Sequence, residues 1–162
     1  MHPVTLLQLL FLLMLANGTP VIAKKILRDR FAWPLDFGVR FFDGRPLFGA
    51  SKTARGVVLS LLVTTAGAPL AGLDWTIGLL VGGTAMAGDL CSSFAKRRLN
   101  LAPSSMAIGL DQIPESLFPL LACRTALSLT AIDIAAGVAA FFVGELLLSR
   151  LLFEAHIRDR PY

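Results

Sequence analysis

The chain has 162 residues, a net charge of +4, 55% hydrophobic residues and only 16% charged ones. Soluble domains are usually about 45–50% apolar and about 25% charged, and a mean hydropathy of +0.69 excludes one here. A basic balance in so apolar a chain signals membrane orientation or contact with anionic lipid, so no nucleic-acid partner is expected.

A hydrocarbon core about 30 Å thick takes roughly 20 apolar residues as helix. The first such stretch is 4–23, uncharged and ending against Lys24-Lys25. A cleaved signal peptide is the rival reading, but no Lys or Arg precedes the apolar run. The second stretch is 56–73, and the third, 75–94, carries only Asp89 near its end. The fourth, 113–132, contains Glu115 and Arg124, and the fifth, 134–153, contains Glu145 and Arg150. The expected fold is therefore an all-α integral membrane bundle of about five transmembrane helices in one domain, 1–162. Arg124 and Glu145 read as a structural ion pair between the last two helices, since charges inside a membrane are costly alone. Cys91 and Cys123 share no metal-ligand or disulfide spacing and read as small packing residues.

Charge then orients the bundle. Of 15 Lys and Arg, eight lie within 24–55, three are Lys96, Arg97 and Arg98, and three are Arg150, Arg158 and Arg160. With the N-terminus outside, all three clusters face the cytoplasm. Loops 24–55 and 95–112 and the tail 154–162 are then cytoplasmic, and a plasma membrane is the default location. So small a bundle makes a homodimer unsurprising.

Two cytoplasmic segments could carry chemistry. In the first, Phe37, Val39, Phe41 and Phe42 with Arg40 suit an element lying among lipid headgroups. It continues through Gly49-Ala50-Ser51-Lys52-Thr53 to Arg55-Gly56, which offers N–H groups, a hydroxyl and an ammonium to a phosphate at a helix start. The Walker spacing is absent, and a plain basic juxtamembrane loop fits as well. In the second, Asp89, Ser92, Ser93 and Lys96 fall at helical spacings of three and four, and Asp111 follows at the next helix start. Two carboxylates among cations could hold Mg²⁺ and a polyphosphate, since Mg²⁺ usually takes one or two carboxylates plus substrate phosphates. Equally, Asp89 could pair with Lys96 or Arg97, and Asp111 could be an N-cap.

The pieces in order are Asn17-Gly18-Thr19-Pro20, Pro34-Leu35-Asp36-Phe37-Gly38, Asp43-Gly44-Arg45-Pro46-Leu47-Phe48-Gly49, Ser51-Lys52-Thr53, Arg55-Gly56, Gly88-Asp89, Ser93-Phe94, Lys96-Arg97-Arg98 and Leu110-Asp111-Gln112. In that order they resemble the CDP-archaeol synthase family, related to phosphatidate cytidylyltransferases. The resemblance implies a CTP-dependent transferase that joins a lipid phosphate to the α-phosphate of CTP and releases pyrophosphate. It implies Asp89 and Asp111 as Mg²⁺ ligands and catalytic residues together with Lys96. It implies Asn17, Lys52, Thr53, Arg55, Ser93, Arg97, Arg98 and Gln112 as substrate-binding residues. Asn17 could equally be a helix-packing amide, and Asp36 and Asp43 could be further candidates or partners of Arg40 and Arg45. The chain departs from the family at Pro103-Ser104, where Pro-Gly is usual. It departs again at Pro114, where the family tends to place an acid; here Glu115 comes next.

Two other classes compete with a transferase. A non-catalytic protein that binds anionic lipid or scaffolds partners would not need Asp89. A small transporter or channel would place its sensitive residues mid-span, at Arg124 and Glu145. Polar residues gathered at one membrane face favour the enzyme.

Overall fold

In the computed structural model, which describes residues 1–101 and 107–154, five helices account for most of the chain. They are α1 (Pro3–Leu27), α2 (Ala54–Leu70), α3 (Trp75–Arg98), α4 (Gln112–Ala122) and α5 (Ala131–Glu154). Among the described residues the only extended pairings are two isolated bridges, Pro34 with Thr53 and Arg40 with Pro46. Pro103-Ser104 and the tail cations Arg158 and Arg160 lie outside the described residues. Neighbouring helices pack in a closed ring, α1 to α2, α3, α4, α5 and back to α1, and α1 also touches α3 and α4.

Local chemistry explains several helix features. Pro20 inside α1 cannot donate to the Ala16 carbonyl. The buried Ser60 hydroxyl of α2 donates to that carbonyl instead, at 2.8 Å. In lipid such a freed carbonyl needs a partner from within the protein, so the proline also fixes how α1 meets α2. Asp74 caps α3 by accepting from the Thr76 N–H at 2.9 Å. Leu9, Leu12, Leu13, Val81, Ala85 and Leu120 form the central part of the core. On α1 and α5 many large apolar side chains face outward, as lipid-facing helices require.

The fourth helix differs from expectation. A single span over 113–132 does not form: α4 stops at Ala122, and residues 123–130 turn before α5 begins. A capping box fixes where α5 begins. The Thr130 hydroxyl accepts from the Asp133 N–H at 3.2 Å, and Asp133 accepts from the Thr130 N–H at 3.0 Å. The fully buried Asp133 also accepts from the His2 N–H at 2.9 Å and faces His2 Nδ1 at 3.0 Å. That contact ties the start of α1 to the start of α5. Three helices, α1, α3 and residues 131–151 of α5, are long and apolar enough to cross a membrane, while α2 is an apolar helix of 17 residues.

The turn also corrects the expected Arg124–Glu145 pair. Arg124 is exposed on the turn, and Glu145 lies about 20 Å further along α5 at 1.5 Å per residue. Glu145 instead feels the charge of Glu115.

Candidate functional site

Close contact between α3 and α4 builds the site. A Cβ at Gly88 would overlap the Pro114 carbonyl and stand 2.8 Å from the Glu115 nitrogen, so only glycine fits without parting the helices. The contact brings Asp89 beside Glu115, which is buried in the first turn of α4 within hydrogen-bonding reach of Asp89. From the loop between α1 and α2, Lys52 Nζ reaches both Asp89 carboxylate oxygens, at 2.5 and 2.6 Å. A second pair lies alongside: Lys96 Nζ is 2.7 Å from Asp111 Oδ1. Asp111 Oδ2 accepts from the Ala107 N–H at 3.1 Å, and Gln112 Oε1 accepts from the Gly109 N–H at 2.8 Å. These two bonds set the turn that enters α4. Burial works against the charge on Lys52, but facing Asp89, and then Glu115 and Asp111, holds its pKa above the ordinary lysine value.

This pairing differs from the sequence expectation. Asp89 does not bond Lys96 or Arg97 of its own helix. Lys96 stands two helical turns beyond it, about 10 Å along α3, and crosses to Asp111. Asp111 precedes α4 but makes no side-chain cap there. Ser92, Ser93, Lys96 and Arg97 are all buried at this end of α3, and Ser92 donates to the Gly88 carbonyl at 2.9 Å.

The loop 28–53 is held by its own acids and by α3. Asp36 is buried and accepts from the N–H groups of Gly38, Phe48 and Gly49 at 3.1, 2.9 and 2.9 Å. Burial alone would raise its pKa, but those bonds from Gly49, Phe48 and Gly38 outweigh burial and hold the carboxyl below the usual range. Asp36 therefore organises the loop and, among the described residues, pairs with no arginine. Asp43 pairs with Arg98 at 2.6 Å, not with the Arg40 or Arg45 side chains. Arg98 also donates to the Pro46 carbonyl and lies over the rings of Phe41 and Phe94, at 5.0 and 4.8 Å. Arg45 in return donates to the Arg97 and Arg98 carbonyls at the end of α3. The substrate-binding expectation for Arg98 thus meets a side chain committed to a clasp.

Three other candidates stand apart from the paired carboxylates. The Thr53 hydroxyl caps α2, accepting from the Gly56 N–H at 3.3 Å. Arg55 binds the carbonyls of Arg28 and Arg30. Asn17 Nδ2 donates to the Leu13 carbonyl of its own helix at 3.1 Å. Glu115 and Glu145 join the cluster without having been chosen as ligands. For Glu115 the signal was present: an acid one place beyond the family position at Pro114, which a helix can still turn toward Asp89. For Glu145 no spacing pointed to it.

The family described as CarS-like, CDP-archaeol synthase, matches residues 71–150. A CDP-archaeol synthase of Sulfurisphaera tokodaii is 33% identical over 155 residues, which is 92% of this chain and 90% of that protein. The chain belongs to the CDP-archaeol synthase family. A second family member, from Pyrococcus furiosus, is 41% identical over 107 residues, 60% of each chain. A solved structure of an intramembrane enzyme for archaeal membrane lipid biosynthesis superposes with a TM-score of 0.75 at 31% identity, covering 87% of this chain and 90% of that one. The family and the apolar helices together make this an integral membrane protein.

Proposed function

We propose that the chain transfers the cytidylyl group of CTP to the phosphate of a membrane lipid, with an archaeol-type ether lipid as the first candidate. The observation that carries this reading is the half-buried pair of Lys–Asp bridges, Lys52–Asp89 and Lys96–Asp111, at the basic end of a chain that belongs to this family. A lipid phosphate oxygen attacks the α-phosphorus of CTP, the α–β anhydride bond breaks, and pyrophosphate leaves. The attacking group is already an anion, so no strong base is needed. The barrier lies in bringing anions together and holding them in line. Lys52 and Lys96 supply charge for that, and Arg97, buried beside Gly49, adds a third cation at the same end of α3.

The donors also fit Mg²⁺. Asp89 with the neighbouring Glu115, and Asp111 apart from them, offer hard oxygen ligands, and Mg²⁺ is commonly held by one or two carboxylates plus substrate phosphates. Among the described residues no three His, Cys, Asp or Glu side chains are gathered into one metal site. A bound Mg²⁺ would neutralise phosphate charge at the reacting centre. Lys52 and Lys96, now on the two aspartates, would then be available to the phosphates.

The proposed orientation puts the N-terminus outside and the basic loops in the cytoplasm, where CTP is dissolved. The test is transfer of label from α-³²P-CTP into lipid by the detergent-purified protein with Mg²⁺. Ether-linked and ester-linked lipid phosphates are supplied separately. The expected result is labelled CDP-lipid with wild type and none with Asp89→Asn. Folded wild-type protein that labels no lipid phosphate would overturn the reading.

A further inference from the structure

The loop 28–53 leaves an apolar edge uncovered. Phe42 is fully exposed, Phe37 is 78% exposed and Trp33 63%, and Phe31 and Val39 are exposed with them. Phe31 and Trp33 meet edge to face at 6.2 Å, so they present a joined aromatic surface. No other segment among the described residues buries these side chains.

The height of the loop is fixed at both ends. At one end Lys52 is bonded to Asp89. At the other, Arg45 and Arg98 clasp the loop to the last turn of α3, nine residues beyond Asp89. The loop therefore stands beside the final 13 Å or so of α3. Trp75 opens α3 at its far end. Counting a hydrocarbon thickness of about 30 Å from there, roughly 20 residues of helix, puts the near boundary of the core close to Phe94. Phe94 is the residue on which the loop's Phe41 ring rests, centroids 5.2 Å apart. The exposed rings thus lie at the height of the membrane boundary.

Two further observations identify what covers them. The outward apolar face of α1 runs through Ile22 and Ile26, both exposed, directly into the loop. Cations accompany the rings: Lys24 and Lys25 end α1, and Arg28, Arg30 and Arg40 are exposed. Apolar rings flanked by cations match a layer of acyl chains below anionic headgroups.

We infer that the loop 28–53 is seated in the interface of the bilayer the helices cross, with Phe31, Trp33, Phe37 and Phe42 embedded among the headgroups. The seat holds the loop from the lipid side while the Arg45–Arg98 clasp holds it from the protein side, and Lys52 is carried to Asp89 between them. The inference rests on membrane geometry and not on the transfer reaction, so it stands or falls separately from the proposed chemistry.

Trp33 is a built-in probe, because the chain has only two tryptophans and Trp75 lies at the opposite membrane face. The full-length Trp75→Phe protein is reconstituted in vesicles of phosphatidylcholine and phosphatidylglycerol. Brominated phosphatidylcholine is added with bromine near the headgroup or near the chain end, and acrylamide is the aqueous quencher. The Trp33→Phe protein gives the Trp75 background, and wild type minus that background repeats the measurement without the Trp75 substitution. Expected are strong quenching by shallow bromine, weaker quenching by deep bromine and poor quenching by acrylamide. Phe37→Asp with Phe42→Asp shifts Trp33 emission to the red and raises its acrylamide quenching. Trp33 quenched by acrylamide like free tryptophan, and untouched by bromine, would overturn the inference. So would shielding that appears only as protein concentration rises in detergent, which would make a second copy the occupant.

Discussion

Lys52, Asp89, Lys96, Asp111, Asp36, Asp43 and Arg98 are each tied to a particular partner, and the partners sort these residues into chemistry and scaffold. Asp89→Asn keeps the shape and removes the charge. Transfer from labelled CTP is expected to fall at least about a hundredfold, the scale on which groups that stabilise reacting charge act, with little change in thermal unfolding. Arg98→Lys separates scaffold from substrate contact in another way. The lysine keeps a cation near Asp43 but loses the fork that also reaches the Pro46 carbonyl. Looser protease protection of the loop with an unchanged KM for CTP is expected; a KM rise with protection intact would return Arg98 to the substrate. Asp36 gives a pH signature. Its folded pKa lies below the ordinary value, so its contribution is complete above the unfolded pKa of about 3.9 and is lost as pH falls through the folded value. Asp36→Asn is expected to cost about 1–3 kcal/mol at neutral pH, and its Tm difference from wild type should close below about pH 4. A difference unchanged down to strongly acid pH would remove the charge from the explanation.

Among the elements, two contacts decide whether the bundle forms as described. Gly88→Ala must part α3 from α4, because the added methyl meets backbone and not a flexible side-chain end. A loss of about 1–3 kcal/mol is expected, together with a fall in turnover as Asp89 and Glu115 move apart. Thr130→Val removes the hydroxyl of the capping box that starts α5, at a cost of about 1 kcal/mol, read as a lower Tm with turnover intact. These elements also show what could be read from the chain. The apolar runs that form α1, α2, α3 and α5 are uniform, and the bounds of these helices were legible to within about four residues. The interruption after α4 was not, because the start of α5 is set by Thr130-x-x-Asp133 through hydrogen bonds to which hydropathy is blind. Among the candidates, Asp89, Lys96, Asp111 and Lys52 were singled out by residue type, position and family resemblance, and the structure brings them together. That Lys52 belongs to Asp89, and Lys96 to Asp111, was not legible, since pairing depends on how a 26-residue loop folds back onto α3.

Taken whole, the molecule is uneven in height. At 1.5 Å per residue, α1 and α3 each run about 36 Å, α2 about 25 Å and α4 only about 16 Å. The two short helices both begin at the level of Asp89, with α2 following Lys52 directly and α4 meeting Gly88. Lipid beside them therefore meets hydrophobic mismatch, and acyl chains next to a short wall must tilt or compress. That local thinning lowers the headgroup plane toward the carboxylates, so a lipid phosphate has less distance to travel from the leaflet to the nucleotide. Bilayer thickness then becomes a predicted kinetic variable: with headgroups held constant, transfer in vesicles of longer-chain lipid is expected to be slower than in vesicles of shorter-chain lipid, and equal rates would remove mismatch from the explanation.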